Sequence, residues 1–153
     1  MSYQDNEFKF VVVVNKTITD APVVMNAIAH LAFGMSRRAP SVSDAPLDHY
    51  TGIDGQTHCL ISRYPFIILS SKNSNQIARL REQCIENGAV YNDFVKQMIA
   101  RSAEEQVEQT RNAPADELEY IAICLFGPAD RMRELTKKFS VFKGFDLPKA
   151  CNP

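Results

Sequence analysis

The chain has 153 residues, 45% of them hydrophobic, which is enough for one continuous core and predicts a single domain over 1–153 with its core at about 8–143. A formal net charge of -1 argues against a dedicated nucleic-acid binder, because phosphate contacts leave such domains clearly basic. No apolar run approaches the roughly 18 residues of a membrane span. Met1 to Glu7 is polar and acidic, unlike a leader, and Cys59, Cys84, Cys124 and Cys151 form no CxxC pair and no zinc spacing. These features predict a cytoplasmic protein with reduced thiols, no membrane association, no metal and no cofactor.

The run from Phe8 to Val14 lacks the alternation of a half-solvated strand and predicts a central strand covered on both faces, ending at Asn15 and Lys16. Thr19 or Asp20 can cap the helix that follows. Pro22 suits its first turn, and Val24, Ala27, Ile28, Leu31 and Met35 repeat at helical spacing. Arg37 and Arg38 close it, and Ala39 to Gln56, dense in Pro, Ser, Asp and Gly, reads as a long loop with a turn at Asp54-Gly55. Phe66 to Leu69 predicts a second buried strand. A helix capped by Asn73 or Ser74 turns Ile77, Leu80, Cys84 and Ile85 inward and ends at Asn87-Gly88.

Ala89 to Tyr91 predicts a short third strand that stops before Asn92 and Asp93, with Phe94, Val95, Met98 and Ile99 at helical spacing after it. Ser102 to Glu117 is the most polar stretch, with Glu104, Glu105 and Glu108 on a solvated helix that is either a lid or a simple excursion. Tyr120 to Phe126 is the fourth strand, closed by Gly127-Pro128, and Ala129 to Lys138 is a last helix with Met132 and Leu135 inward. The alternating order predicts an α/β fold in which a four-stranded sheet lies between helical layers.

Gly127-Pro128-Ala129-Asp130, followed by Leu135-Thr136 and an apolar tail to Phe142, resembles the closing segment of type II peptidyl-tRNA hydrolases, and more closely a bacterial family of unknown function that shares their fold. The opening strand and helix, and Asn92-Asp93 after the third strand, extend the resemblance over most of the chain. It implies a three-layer α/β/α fold with a mixed four-stranded sheet. It also implies a site made by the first helix and the aspartate after the third strand. Where the hydrolase has a lysine, then a glutamine four residues on and a histidine three beyond that, this chain has Pro22, Asn26 and Ala29, with His30 next door. Asp93 matches, and Gln97 stands at the threonine position. Proline supplies neither a charge nor a backbone donor for an anionic substrate, so the cation of the site is expected to be lost.

The candidate catalytic residues are therefore Asn26, His30 and Asp93. Asn26 and His30, four apart, share a helical face. Asp93 could act as a general base or orient an imidazole, and a helix N-cap needs the same residue in the same place. Lys16 and His58 are weaker candidates for ligand binding, Lys16 as a replacement cation and His58 through its position after the Asp54-Gly55 turn. His58, Asp48 and His49 fit no ordered set of metal ligands. The basic residues Arg131, Arg133, Lys137, Lys138 and Lys143 read chiefly as a solvated face, with an RNA contact as the less favoured partner. No phosphate loop, Ser-His-Asp order or nucleophile elbow is present. The leading reading is a remodelled, non-hydrolase site that takes a small polar ligand. The alternative is a peptidyl-tRNA or aminoacyl-ester hydrolase acting on RNA-linked substrates. A homodimer through the face around Phe33 and His30 is a further expectation.

Overall fold

A computed structural model describes residues 7–38 and 40–145, so Cys151 and Ala39 of the sequence reading lie outside the described residues. Strand β1 (Phe8–Asn15) is the centre of the molecule, buried from Phe10 to Asn15 because both of its faces are covered. Helix α1 (Ala21–Met35) follows, and Asp20 rather than Thr19 caps it by accepting a hydrogen bond from the Val23 N–H at 3.3 Å. The expected long loop holds more structure than its composition suggests. It contains the short helix α2 (Pro40–Ser43) and the two-residue strand β2 (Leu47–Asp48), which pairs with β3 (Ile61–Ser62). Between them Gly55 takes a φ of 79° in the Asp54-Gly55 turn, a conformation that suits glycine.

Strand β4 (Phe66–Ser71) leads to α3 (Ser74–Glu86), capped by Asn73, which accepts from the Gln76 N–H at 3.1 Å. Ile77, Leu80 and Cys84 are buried as expected, whereas Ile85 is 53% exposed. Three positions at helical spacing already fill the contact face, and Ile85 falls beside it. The largest departure from the sequence reading comes next. Strand β5 (Val90–Val95) runs through Asn92 and Asp93 and takes in Phe94 and Val95, which the spacing had assigned to a helix. Only one 3-10 turn (Lys96–Met98) follows it. Helix α4 (Ala103–Asn112) is shorter than the polar stretch that contains it, and a second 3-10 turn (Ala115–Glu117) leads into β6 (Tyr120–Pro128). Helix α5 (Ala129–Thr136) and a short β7 (Ser140–Val141) complete the described chain.

The main sheet has five strands in the order β5-β6-β1-β4-β7, not the expected four. The fifth is β7, built from the apolar tail, which pairs antiparallel with β4 and covers what would otherwise be an open edge. The sheet is mixed, since β1 and β4 are parallel while β6 runs antiparallel to β1 and β5. Side chains alternate across it. Val12 and Val14 of β1 face Val24, Ala27, Leu31 and Met35 of α1, and Val11 and Val13 face Ile77, Leu80 and Cys84 of α3 and Met132 of α5. Burying a side chain such as Leu31 contributes about 1.5–3 kcal/mol, so these two apolar layers fix α1 and α3 on opposite faces. At the end of β1, buried Asn15 donates to the Tyr120 carbonyl at 3.0 Å and accepts from the Thr17 N–H and hydroxyl at 3.1 and 2.8 Å, which pins the exit of the strand. Among the described residues, no helix is long and apolar enough to cross a membrane.

Candidate functional site

Helix α1 carries no charged residue, and its two polar side chains in mid-helix, Asn26 and His30, project from one exposed face. Below that face lies β5 at the edge of the sheet. The helix comes close to the strand at Gly34, where an added Cβ would lie 2.8 Å from the Asn92 amide nitrogen. That amide donates to the Leu31 carbonyl at 3.4 Å, and the His30 ring stacks on Phe94 with centroids 5.9 Å apart. Polar Asn92 is tolerated in the strand because the helix backbone gives it a partner.

Helix α4 supplies the opposite wall. Ser102 caps it by accepting from the Glu105 N–H at 3.2 Å, and the Glu105 carboxylate accepts in return from the Arg101 N–H at 3.0 Å. One stripe of the helix, formed by Gln106, Val107, Thr110 and Arg111, then faces back toward α1 and β5. The space enclosed is a cavity of about 770 Å³. Asn26, His30 and Leu31 line it from α1, Asn92, Asp93 and Phe94 from β5, and Met98, Ile99 and Ala100 from the segment between strand and helix.

Three of the candidates from the sequence therefore meet at one cavity: Asn26, His30 and Asp93 all border it. Lys16 and His58 are not among its lining residues. Lys16 is exposed just beyond β1, its N–H bonded to the Ser71 carbonyl at 3.2 Å. His58 lies on the β2–β3 excursion, its N–H held by the Tyr50 carbonyl at 2.7 Å. Nearby Asp48 is occupied by Arg63 at 2.7 and 3.1 Å, and that guanidinium holds the Asp48 carboxyl below its usual range. Among the described residues no group of three His, Cys, Asp or Glu side chains gathers to hold a metal.

The orientation of Asp93 follows from the strand it occupies. Its register partner is Ile123, which packs on the α3 face, while Asn92 pairs with Cys124 on the α1 face. The Asp93 carboxylate accordingly reaches α3, where its Oδ2 lies 3.5 Å from Nε of Arg81. The contact is long for a hydrogen bond and acts as an ion pair. Burial works against the Arg81 charge, but Asp93, Tyr120 and Tyr91 around it favour the cation, and its pKa is raised overall. The Tyr91 ring has two guanidinium groups near it, Arg38 at 5.5 Å and Arg81 at 5.6 Å from its centroid, and Arg38 Nε donates to the Tyr91 carbonyl at 2.8 Å. The Tyr91 carbonyl thus points away from β6, and by the period of two the Asp93 peptide does the same. Asp93 offers the cavity its main chain at the edge of the sheet, and its charge is committed elsewhere.

The lining of the cavity includes a cation, which comes from α4. Arg111, from the last turn of that helix, lines the same cavity as Asn26 and His30, and among the described residues it has no ion-pair or hydrogen-bond partner. Pro22 brings no charge, and the segment that follows β5 supplies one to the cavity lining. On the sequence α4 is a solvated helix, either a lid or a simple excursion, and Gln106, Thr110 and Arg111 do not stand out in it. The signal was present in the spacing of 106, 107, 110 and 111, which forms one stripe of a capped helix.

The match to known proteins covers all of these elements. A family model described as a protein of unknown function (DUF2000) matches residues 8–143. No curated protein matches the chain. Among solved structures, a protein of unknown function from Agrobacterium tumefaciens strain C58 is similar, with a TM-score of 0.72 and 13% identity over 89% of this chain and 98% of that one. At that identity the likeness concerns the fold alone. The matched residues run from the start of β1 to beyond β7 and include every wall of the cavity, and the chain belongs to the DUF2000 family of proteins of unknown function.

Proposed function

We propose that this protein is a small-molecule binding protein whose ligand, polar in part, occupies the cavity between α1, β5 and α4. One observation carries the reading. Asn26, His30, Gln106 and Arg111 border the cavity with side chains that have no hydrogen-bond partner among the described residues, and Thr110 Oγ1 is buried there without one. Asn26, His30 and Arg111 are exposed and Gln106 is half-buried, so their convergence on one cavity supplies polar groups that a ligand can engage, and Thr110 Oγ1 is the buried one left without a partner. The cavity volume of about 770 Å³ falls in the range of small-molecule sites, roughly 300–1,000 Å³. The test is a thermal-shift screen of metabolites. A ligand of this cavity raises Tm in a saturable way, by an amount that follows its concentration relative to Kd. The absence of any saturable shift across the screen would count against the reading.

The scaffold is, on this reading, of the type II peptidyl-tRNA hydrolase kind. Gly127-Pro128 leading from β6 into α5, and buried Thr136 donating its hydroxyl to the Met132 carbonyl, support that likeness. A second reading keeps the hydrolase activity, and the observation in its favour is that Asn26 and Asp93, the positions carried by the resemblance, border one cavity together with Arg111. It requires peptide release from peptidyl-tRNA, with RNA affinity that falls steeply as salt is raised. Turnover by the wild-type protein that is lost in Asp93→Ala with folding intact would select it.

A further inference from the structure

The charge balance of the cavity narrows its ligand. Of the charged residues that border it, Arg111 and Asp93, Asp93 presents its main chain, and its carboxylate pairs with Arg81 on the other face of the sheet. The guanidinium of Arg111, which also borders a neighbouring surface hollow with Glu104 and Glu108, makes no ion pair among the described residues and is the charge left to the cleft. The remaining donors, the amides of Asn26 and Gln106 and the imidazole of His30, suit an acceptor-rich group. The rest of the lining is apolar: Leu31, Phe94, Met98, Ile99 and Val107 form a surface where a charged group would find no partner. Ile99 and Val107 are 45% and 56% exposed, so part of this apolar wall is open to solvent.

From this division we infer that the ligand is a small organic anion, a carboxylate or a phosphate monoester, with an aliphatic or aromatic body of moderate size. Its head group pairs with Arg111 at the C-terminal end of α4, and its body packs against Phe94, Met98 and Val107. A planar guanidinium binds either head group through two parallel N–H donors, which a lysine cannot do. The inference rests on the binding reading above and specifies the chemistry of the same site.

Isothermal titration calorimetry on the full chain with four probes that share one body, octanoate, octyl phosphate, octanol and octylamine, separates the two claims. The expected result is that one or both anions bind at least tenfold more tightly than octanol, with octylamine weakest. The anion preference shrinks as salt is raised. Arg111 is exposed, so Arg111→Gln folds normally and removes the difference between anion and alcohol, while Arg111→Lys retains part of it. Octanol binding as tightly as the anions, or a preference that survives in Arg111→Gln, overturns the inference and leaves the binding reading standing. If none of the four probes binds, the binding reading falls, and the inference with it.

Discussion

Asp93→Asn tests the assignment of the Asp93 charge to the far side of the sheet. The substitution keeps the shape of the side chain and removes its charge. Two unit charges 3.5 Å apart attract by about 5 kcal/mol at an effective dielectric constant near 20. Most of that is offset, because the Arg81 and Asp93 side chains are 35% and 21% exposed and are screened by solvent, and because the pair is partly desolvated. A net loss of about 1–2 kcal/mol remains, which for a chain of this length lowers Tm by about 3–6 °C. Thermal unfolding followed by circular dichroism measures it, and a double-mutant cycle with Arg81→Met isolates the pair from effects on either residue alone. Most of the coupling should disappear at about 0.5 M salt, where the Debye length approaches the separation of the charges. An unchanged Tm with zero coupling, or an effect confined to hydrolysis or ligand binding at constant stability, would refute the placement of this carboxylate against α3.

Other consequences follow from the same structure. Asn15→Ala removes three hydrogen bonds at once, one buried and two partly buried, and should cost about 2–4 kcal/mol in a denaturant titration; a loss below about 1 kcal/mol would mean that water replaces the side chain. Burial pushes the Cys84 thiol up to about 11 and the Cys124 thiol to about 12, while Cys59 is exposed. A thiol reagent at neutral pH should therefore modify Cys59 in the native protein and spare the other two, as read by peptide mass mapping. Both buried thiols stay protonated in the fold and ionise near the ordinary value of 9.0 when it opens. Their contribution to stability is complete below that pH and is lost as pH rises toward 11. The outer face of α1 is uncharged, with Met25 and Phe33 65% and 82% exposed. An antiparallel pairing of two copies about Ala29 would set each Met25 against the partner's Phe33, a favourable sulfur–aromatic contact. On that proposal the protein sediments as a dimer and Phe33→Asp as a monomer, and a wild-type monomer at high concentration would remove the proposal.

The parts of the molecule that were legible in its sequence are those where one physical signal dominated. An unbroken run of branched residues can only be a covered strand, and β1 is one. Asp20, Pro22 and the apolar repeat left α1 little alternative. β5 was harder because two principles gave the same pattern. Asn92-Asp93 after a short apolar stretch looks like a helix cap, and nothing local reveals that Asn92 will find the Leu31 carbonyl, far away in sequence, or that Asp93 will find Arg81 on the preceding helix. β7 escaped notice since two residues carry no periodicity and pairing with β4 alone defines them. Of the candidate site, α1 was legible through Asn26 and His30. The α4 wall was not, because a polar stripe facing a cavity has the same composition as one facing solvent.

If α1, β5 and α4 enclose one binding site, a titration with octanoate followed by amide chemical-shift mapping in NMR gives saturable shifts at His30, Phe94, Thr110 and Arg111, with Lys16 and His58 unmoved. Shifts centred on Lys16, His58 or the basic end of α5, with the α4 stripe silent, would contradict it.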